Sequence, residues 1–160
     1  MRIGIIIASD KGAAGEREDK SGPAIAAVVE EKGNEVVAFQ ILPDDREILA
    51  KEMKRMCDVT DCDIVFTSGG TGFSPRDVTP EATRDVIDRD APGIPEAMRA
   101  ASMQITQRAM LSRAVAGIRG RSLIVNLPGS PKGAIECLQV IMDAMPHAVE
   151  ILRGGGECAR

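Results

Sequence analysis

Thr67-Ser68-Gly69-Gly70-Thr71-Gly72-Phe73-Ser74-Pro75-Arg76-Asp77-Val78-Thr79-Pro80-Glu81 is the stretch that decides the fold. It follows Asp63-Ile64-Val65-Phe66, a short apolar run that reads as a buried strand. It ends on the start signals of a helix: Thr79 as capping hydroxyl, Pro80 at the first helical position, and Glu81 complementing the positive helix end. Strand, glycine-rich loop and helix, in that order, build anion sites. Gly69, Gly70 and Gly72 let the backbone approach a ligand closely, so that successive N–H groups can point at phosphate oxygens. Arg76 and Asp77 add two charges that a plain turn would not need. The spacing excludes the two commonest phosphate loops. There is no Gly-x-x-x-x-Gly-Lys-Ser/Thr, and Pro75 stands where Gly70-x-Gly72 would need its third glycine.

Outward from this loop, strands alternate with helices. Ile3–Ala8 is a strand buried on both faces, ended by Ser9-Asp10. Lys11 to Lys20 is a polar, glycine-bearing loop, long enough to be a binding loop or lid. Ser21-Gly22-Pro23 opens a helix with Ala24, Ile25, Val28 and Val29 on one face, closed by Gly33. Glu35–Leu42 is the second strand. After Pro43, one of Asp44 and Asp45 caps a helix over Arg46–Met56. Beyond the loop, short helical signals cover 81–87, Pro92-Gly93 breaks 88–95, and apolar residues at helical spacing cover 94–105. Residues 111–120 read as a strand turning into a hairpin, with Ser122–Leu127 as the last strand. Pro128-Gly129-Ser130-Pro131-Lys132 then leads into a helix running to Met145. Ser130 is its natural cap, Pro146 kinks or divides it, and 154–160 is expected to be a flexible tail. The alternation predicts an α/β fold: a mostly parallel central sheet with helices on both faces, in one domain over 1–153.

Composition sets the outer limits. The chain has 160 residues, of which 44% are hydrophobic, enough for one domain with a sizeable core. No run of 18 apolar residues is present, and Met1-Arg2 leads straight into a strand, so a cytoplasmic protein with no membrane partner is expected. Cys57, Cys62, Cys137 and Cys158 form no Cys-x-x-Cys, and His147 is the single histidine. A zinc site is not expected; the cysteines read as reduced and His147 as a surface residue. The net charge of -4 and 2% aromatic content argue against a nucleic-acid partner, which needs basic patches and stacking platforms.

In open parallel sheets ligands sit beyond the carboxyl ends of the strands. That rule gathers Ser9-Asp10, Asp44-Asp45, Ser68 to Asp77 and Pro128 to Lys132 on one rim. Glycine loops and helix starts hold phosphates, and two carboxylates at strand ends suit Mg²⁺, whose shell is completed by water and substrate phosphates. No Ser-His-Asp or Cys-His nucleophile can be assembled around His147. The rim therefore favours phosphoryl or nucleotidyl transfer.

The same residues carry a resemblance. Thr67-Ser-Gly-Gly-Thr-Gly with Arg76-Asp77-Val78-Thr79-Pro80-Glu81-Ala82, and Asn126-Leu127-Pro128-Gly129-Ser130-Pro131-Lys132, resemble the molybdenum-cofactor biosynthesis family of molybdopterin adenylyltransferases. The likeness extends from the Ile-Ala-Ser-Asp start through Ser21-Gly22-Pro23 and Pro43-Asp44-Asp45 to the last helix. It implies a three-layer α/β/α sandwich in a homotrimer, with Val115, Ala116 and Ile118 as candidate interface residues. It also implies transfer of AMP from MgATP to the terminal phosphate of molybdopterin, ahead of a molybdate-inserting partner enzyme. Carried over by position, Asp44 and Asp77 become the catalytic acids that hold Mg²⁺. Thr67, Ser68, Gly69, Gly70, Thr71 and Gly72 line the pterin-phosphate pocket, and Ser9, Asp10, Ser112, Pro128, Gly129 and Ser130 surround substrate or nucleotide. Ser130 either lines the site or only caps its helix. Arg76 or Arg113 either offsets charge on pyrophosphate or forms an ion pair with Asp77. Two alternatives stay open: a non-catalytic molybdopterin-binding or scaffold member of the same superfamily, and a pyridine-nucleotide enzyme of another pathway.

Overall fold

The computed structural model describes residues 1–155; Cys158 and the rest of 156–160, most of the expected tail, lie outside the described residues. Strands β1 (Arg2–Ala8), β2 (Glu35–Leu42), β3 (Ile64–Ser68), β4 (Arg89–Asp90), β5 (Ala116–Arg119) and β6 (Ser122–Leu127) form one sheet in the order β2-β1-β3-β6-β5-β4. β1 pairs parallel with β2 and β3, and β3 with β6; β5 and β4 extend the edge antiparallel. The helices are α1 (Asp10–Ala13), α2 (Ser21–Glu31), α3 (Arg46–Asp58), α4 (Thr79–Arg84), α5 (Gly93–Met103), α6 (Pro131–Ile141) and α7 (Met145–Leu152), with 3₁₀ turns at Gln107–Leu111 and Met142–Ala144. No helix among the described residues is long and apolar enough to cross a membrane.

The period-2 alternation of strand side chains explains why the sheet needs helices on both faces. From β1 and β3, Ile3, Ile5, Ile7, Ile64 and Phe66 enter one core, where they meet Ile25 and Val29 of α2, Met98 of α5 and Leu138 and Ile141 of α6. Ile6, Ala8 and Val65 enter the other, against Leu49, Met53 and Met56 of α3 and Ala82 of α4. Ile3, Ile5, Ile6, Ile64, Val65 and Phe66 are fully buried, each such side chain contributing about 1.5–3 kcal/mol. The expected three-layer α/β/α sandwich is what forms. Register keeps the functional ends level: Ala8 lies opposite Leu42, Ile7 opposite Ser68, and Ser68 opposite Leu127.

Several local expectations are corrected. The segment after β1 is not loop from its start, because Ser9 Oγ accepts from Gly12 N at 3.0 Å and nucleates α1. Within 111–120 only Ala116–Arg119 is strand; Thr106 instead caps a 3₁₀ turn upstream. The broken segment 88–95 contributes β4, since Asp88 N and Ala91 N donate to Ile118 O and Ala116 O. Val115 and Ala116 are buried within the monomer, and Ile118, half-buried, packs against the first core. Thr79 does not cap α4; Val78 holds that position without a side-chain cap. Pro146 divides the last helical segment, sitting in the first turn of α7. Gly154, at φ +83°, and Gly155 donate to Ile151 O and Glu150 O, so the expected tail starts with a hydrogen-bonded helix end. His147 is exposed, facing Glu150. Cys57, Cys62 and Cys137 are free and buried, and burial pushes the Cys57 and Cys62 thiols up to about 12 and about 11, which leaves them unreactive.

Two glycines separate a turn requirement from a packing requirement. Gly15 and Gly69 both have positive φ, +73° and +100°, but a Cβ at Gly15 would meet nothing within 4 Å, whereas at Gly69 it would press on Ala8 O. Gly15→Ala is expected to cost about 1–2 kcal/mol from the backbone alone. Gly69→Ala adds overpacking of about 1–3 kcal/mol. Urea unfolding of the two variants checks the ranking.

Candidate active site

The site is built where three parallel strands end. Gly69 and Gly70, at φ +100° and +64°, turn the chain sharply off β3. A Cβ on Gly69 would lie under 3.0 Å from Ala8 O, and one on Gly129 would lie 3.2 Å from Gly69 Cα. The ends of β1, β3 and β6 thus meet backbone to backbone, and only glycine allows that approach. Ser68 Oγ donates to Pro128 O at 2.8 Å, and Ser21 Oγ donates to Gly129 O at 2.8 Å. These two bonds fix the turn after β6 between the glycine loop and α2.

The paired aspartates after β2 divide their work. Asp45 caps α3, accepting from Glu47 N and Ile48 N at 3.0 Å each. Asp44 is left for the rim. It forms a reciprocal bracket with Asp10: Asp10 N donates to Asp44 Oδ2, and Asp44 N donates to Asp10 Oδ1, both at 3.0 Å. Arg76 reaches across from the glycine-rich loop and grips Asp10 with both ends of its guanidinium, at 2.8 and 2.9 Å. The guanidinium, helped by the Asp44 N–H, holds the Asp10 carboxyl below the usual range. Asp44 is pushed the other way. Burial raises it first, the nearby charges of Asp10 and Asp77 add to this, and the Asp10 N–H and Arg76 oppose it. Asp77 Oδ2 accepts from Ser74 N at 3.0 Å, which folds its loop into a tight turn.

Neither arginine pairs with the Asp77 carboxylate. Arg113 instead braces the loop backbone: Nε donates to Gly72 O at 2.7 Å, Nη2 to Asp77 O at 2.6 Å, and Nη1 is paired with Glu81. That pairing lowers the Glu81 carboxyl.

Two cavities flank this wall. One, of about 500 Å³, runs from Gly70, Thr71, Gly72 and Asp77 past Met98, Arg99 and Leu111 to Ser112, Pro128, Gly129 and Ser130. The other, of about 800 Å³, lies between Ser9, the Glu16–Ser21 segment, Ser68, Gly69, Gly129 and Ser130. Gly129 and Ser130 border both. Ser130 also caps α6, accepting from Gly133 N at 3.1 Å, so it is both cap and wall. The loop expected to be a lid supplies one side of the second cavity.

Of the residues singled out from sequence, most line the two cavities at this rim; Asp10 and Asp44 line neither but bracket each other close to Gly70, and Thr67 does not reach it. Thr67 is fully buried beneath it, its hydroxyl accepting from Asn126 Nδ2 at 2.9 Å. Asn126 Nδ2 also donates to Thr83 Oγ1 at 2.8 Å, and its Oδ1 accepts from Val115 N, so this amide ties β6 to β3 and α4. Sequence reasoning missed Arg99, Arg108 and Ser102, which line the first cavity. Arg99 is half-buried on an amphipathic helix, its Nη1 donating to Ala114 O at 3.0 Å, and Arg108 lies in a short 3₁₀ turn; neither belongs to a glycine or acid motif that would have marked it.

Among the described residues no group of three or more His, Cys, Asp and Glu is arranged to hold a metal. Two carboxylates suffice for Mg²⁺, which keeps waters and takes its remaining ligands from substrate phosphates. Asp44 Oδ1 is buried with no hydrogen-bond partner, an acceptor of the kind a hard cation satisfies. The donor set therefore fits Mg²⁺.

Comparison with known proteins gives the family. The family described as a probable molybdopterin binding domain matches residues 4–147. The chain is 44% identical over 156 residues to a molybdopterin adenylyltransferase of Helicobacter pylori J99, covering 96% of this chain and 89% of that protein. It is 39% identical to the molybdenum cofactor synthesis protein cinnamon of Drosophila melanogaster, covering 95% of this chain but 26% of that longer protein. The crystal structure of the molybdopterin biosynthesis enzyme MoaB from Thermus thermophilus superposes with a TM-score of 0.91 at 46% identity, over 96% of each chain. This chain belongs to the probable molybdopterin binding domain family of molybdenum cofactor biosynthesis proteins.

Proposed function

We propose that the protein is a molybdopterin adenylyltransferase, which transfers AMP from MgATP to the terminal phosphate of molybdopterin and releases pyrophosphate. The observation that carries this reading is the pair of cavities sharing the Gly129-Ser130 wall, with Asp77 lining the first and Asp44 held next to Gly70 of the same cavity. A group-transfer enzyme needs two ligands whose reacting ends meet, and this rim offers two rooms with one partition. The cavity with Met98 and Leu111 beside Arg99 and Arg108 suits a fused ring carrying an anionic tail. The cavity at the Glu16–Ser21 segment, whose wall carries Arg17 and Lys20 as well as Glu16, Glu18 and Asp19, is the larger room and is left for the nucleotide.

The chain's own residues bind and orient. Gly69 N–H is already given to Leu127 O, so it is the turned backbone from Gly70 to Gly72 and the positive start of α6 that suit phosphate oxygens. Asp44 and Asp77 would hold the Mg²⁺, which when bound neutralises phosphate charge and orients the reacting groups. The molybdopterin phosphate is already ionised at neutral pH. Its oxygen attacks the α-phosphorus, the bond from that phosphorus to the bridging oxygen of pyrophosphate breaks, and pyrophosphate leaves with the electron pair. No side chain has to remove a proton, which accounts for a rim without histidine. Positioning and charge neutralisation remain as the protein's contribution. The same reading has the protein working in the cytoplasm as a homotrimer and passing adenylylated molybdopterin to a molybdate-inserting enzyme. The much longer Drosophila relative supports such a partnership, since a domain like this one forms part of a larger chain there.

Asp77→Asn is expected to fold normally and to lose at least about 100-fold in kcat for AMP transfer, as expected for a group that acts mainly on the transition state. Release of pyrophosphate from ATP, measured with and without added molybdopterin, is the assay. Molybdopterin binding without release in the unaltered protein would instead identify a scaffold. Asp44→Asn should lose turnover while keeping or raising Tm at pH 7.5. Because the folded state raises the Asp44 pKa, ionised Asp44 costs stability above that pKa, and the cost falls as pH drops through it. Asparagine removes the cost and keeps an acceptor for the Asp10 N–H. A Tm well below that of the unaltered protein would show that Asp44 is structural.

A further inference from the structure

Thr79 is the one hydroxyl of the Arg-Asp-Val-Thr-Pro-Glu segment for which the fold provides no use. Its backbone is fully engaged: N–H donates to Gly70 O at 3.1 Å, and its carbonyl accepts from Thr83 Oγ1 at 2.9 Å. Its side chain is completely buried, yet Oγ1 has no hydrogen-bond partner and does not cap α4. One other unpartnered buried oxygen lies close by, Asp44 Oδ1. Both border the position that a side chain on Gly70 would occupy. A Cβ placed on Gly70 would lie 3.0 Å from Asp44 Oδ1 and nearer still to Thr79 Oγ1. A hydroxyl can donate and an ionised carboxylate can only accept, so these two unmet groups are complementary. What lies between them is the space a side chain on Gly70 would fill, and Gly70 itself is in the left-handed region at φ +64°.

We propose that Thr79 is a positioning residue for Asp44: with ligand bound, the Thr79 hydroxyl closes the gap beside Gly70 and donates to Asp44 Oδ1. The Asp10 N–H already holds Oδ2. With both oxygens engaged, the carboxylate is fixed in one orientation and presents its remaining lone pairs to the cation. The inference rests on the reading of Asp44 as a Mg²⁺-holding residue, and it assigns the role of Gly70 as well. A side chain there would fill the gap that the hydroxyl must cross.

Thr79→Val keeps the shape and removes the donor, and Thr79→Ser keeps the donor. Mn²⁺ serves as the probe, titrated into each protein with a non-hydrolysable ATP analogue and followed by electron paramagnetic resonance, with Tm measured alongside. The expected result for Thr79→Val is a Tm equal to or above that of the unaltered protein, since an unpaired buried hydroxyl is lost, with Mn²⁺ affinity weakened roughly tenfold, about one hydrogen bond's worth. Thr79→Ser should bind Mn²⁺ within about threefold of the unaltered protein, because the donor is retained. Unchanged Mn²⁺ affinity in Thr79→Val, or equal weakening in both variants, overturns the inference and leaves adenylyl transfer standing. Failure of the unaltered protein to bind Mn²⁺ with the analogue removes the metal reading and this inference with it. Should Thr79→Val not fold, Thr79→Ala supplies the donor-free comparison under the same criteria.

Discussion

The close approach of Gly69 to the carbonyl of Ala8 is the constraint on which the rest of the rim depends. Parallel strands end level with one another, but their ends normally diverge into connections that keep side-chain distance. Here the chain leaves β3 through two residues in the left-handed region, which brings its backbone under the end of β1 and against the turn after β6. Everything functional is placed by that fold-back. It aims Gly70 between Asp44 and Thr79, sets the partition between the two cavities, and sends the following segment far enough out for Arg76 to reach Asp10.

A second constraint is electrostatic. The rim concentrates three carboxylates, Asp10, Asp44 and Asp77, and gives only one of them an arginine of its own. Asp44 is partly buried with like charges for neighbours, and its compensation from the Asp10 N–H and the more distant Arg76 does not offset burial. A fold selected for stability alone would place a neutral side chain there. The arrangement makes sense for a site that receives positive charge with its ligand, since binding then relieves what folding left uncompensated.

Much of this was legible in the sequence because it depends on short-range chemistry. The buried apolar runs at Ile3–Ala8 and Ile64–Phe66, the Ser130-Pro131 helix start and the strand-to-loop boundaries follow from periodicity and capping, and they fixed both the sheet and the rim. What was not legible depends on which partner a side chain finds across the fold. The Thr79-Pro80-Glu81 start signal placed the helix start but assigned its first hydroxyl to capping, whereas Thr79 is already inside α4 and Val78 holds the cap position. Thr67 was grouped with the loop because it adjoins it. The pleat turns it inward instead, toward Asn126, a contact 59 positions away in sequence. The apolar Val115 and Ala116 could be assigned to the monomer only once β5 was seen lying between β6 and β4.

The two arginines show how burial and valence separate roles that charge alone cannot. Arg113 has a half-covered side chain with bonds to Gly72 O, Asp77 O and Glu81, so a ligand phosphate competing for it would have to undo the loop that presents Asp77. Arg76 has a single partner, Asp10, and both side chains are open to solvent, at 62% and 43% exposure. An exposed ion pair is weakened by solvent and salt. A polyphosphate carries several negative oxygens and can displace one carboxylate from a guanidinium at little cost to the fold. Arg76 is therefore the arginine free to change partners, and its departure would release the Asp10 carboxylate while leaving intact the backbone bond from Asp10 to Asp44. One half of the bracket, from Asp10 N to Asp44 Oδ2, uses no atom of the ion pair; the other half shares Asp10 Oδ1, which accepts from both Asp44 N and Arg76 Nη2, so opening the pair leaves Asp44 Oδ2 held while Asp10 Oδ1 loses one of its two donors.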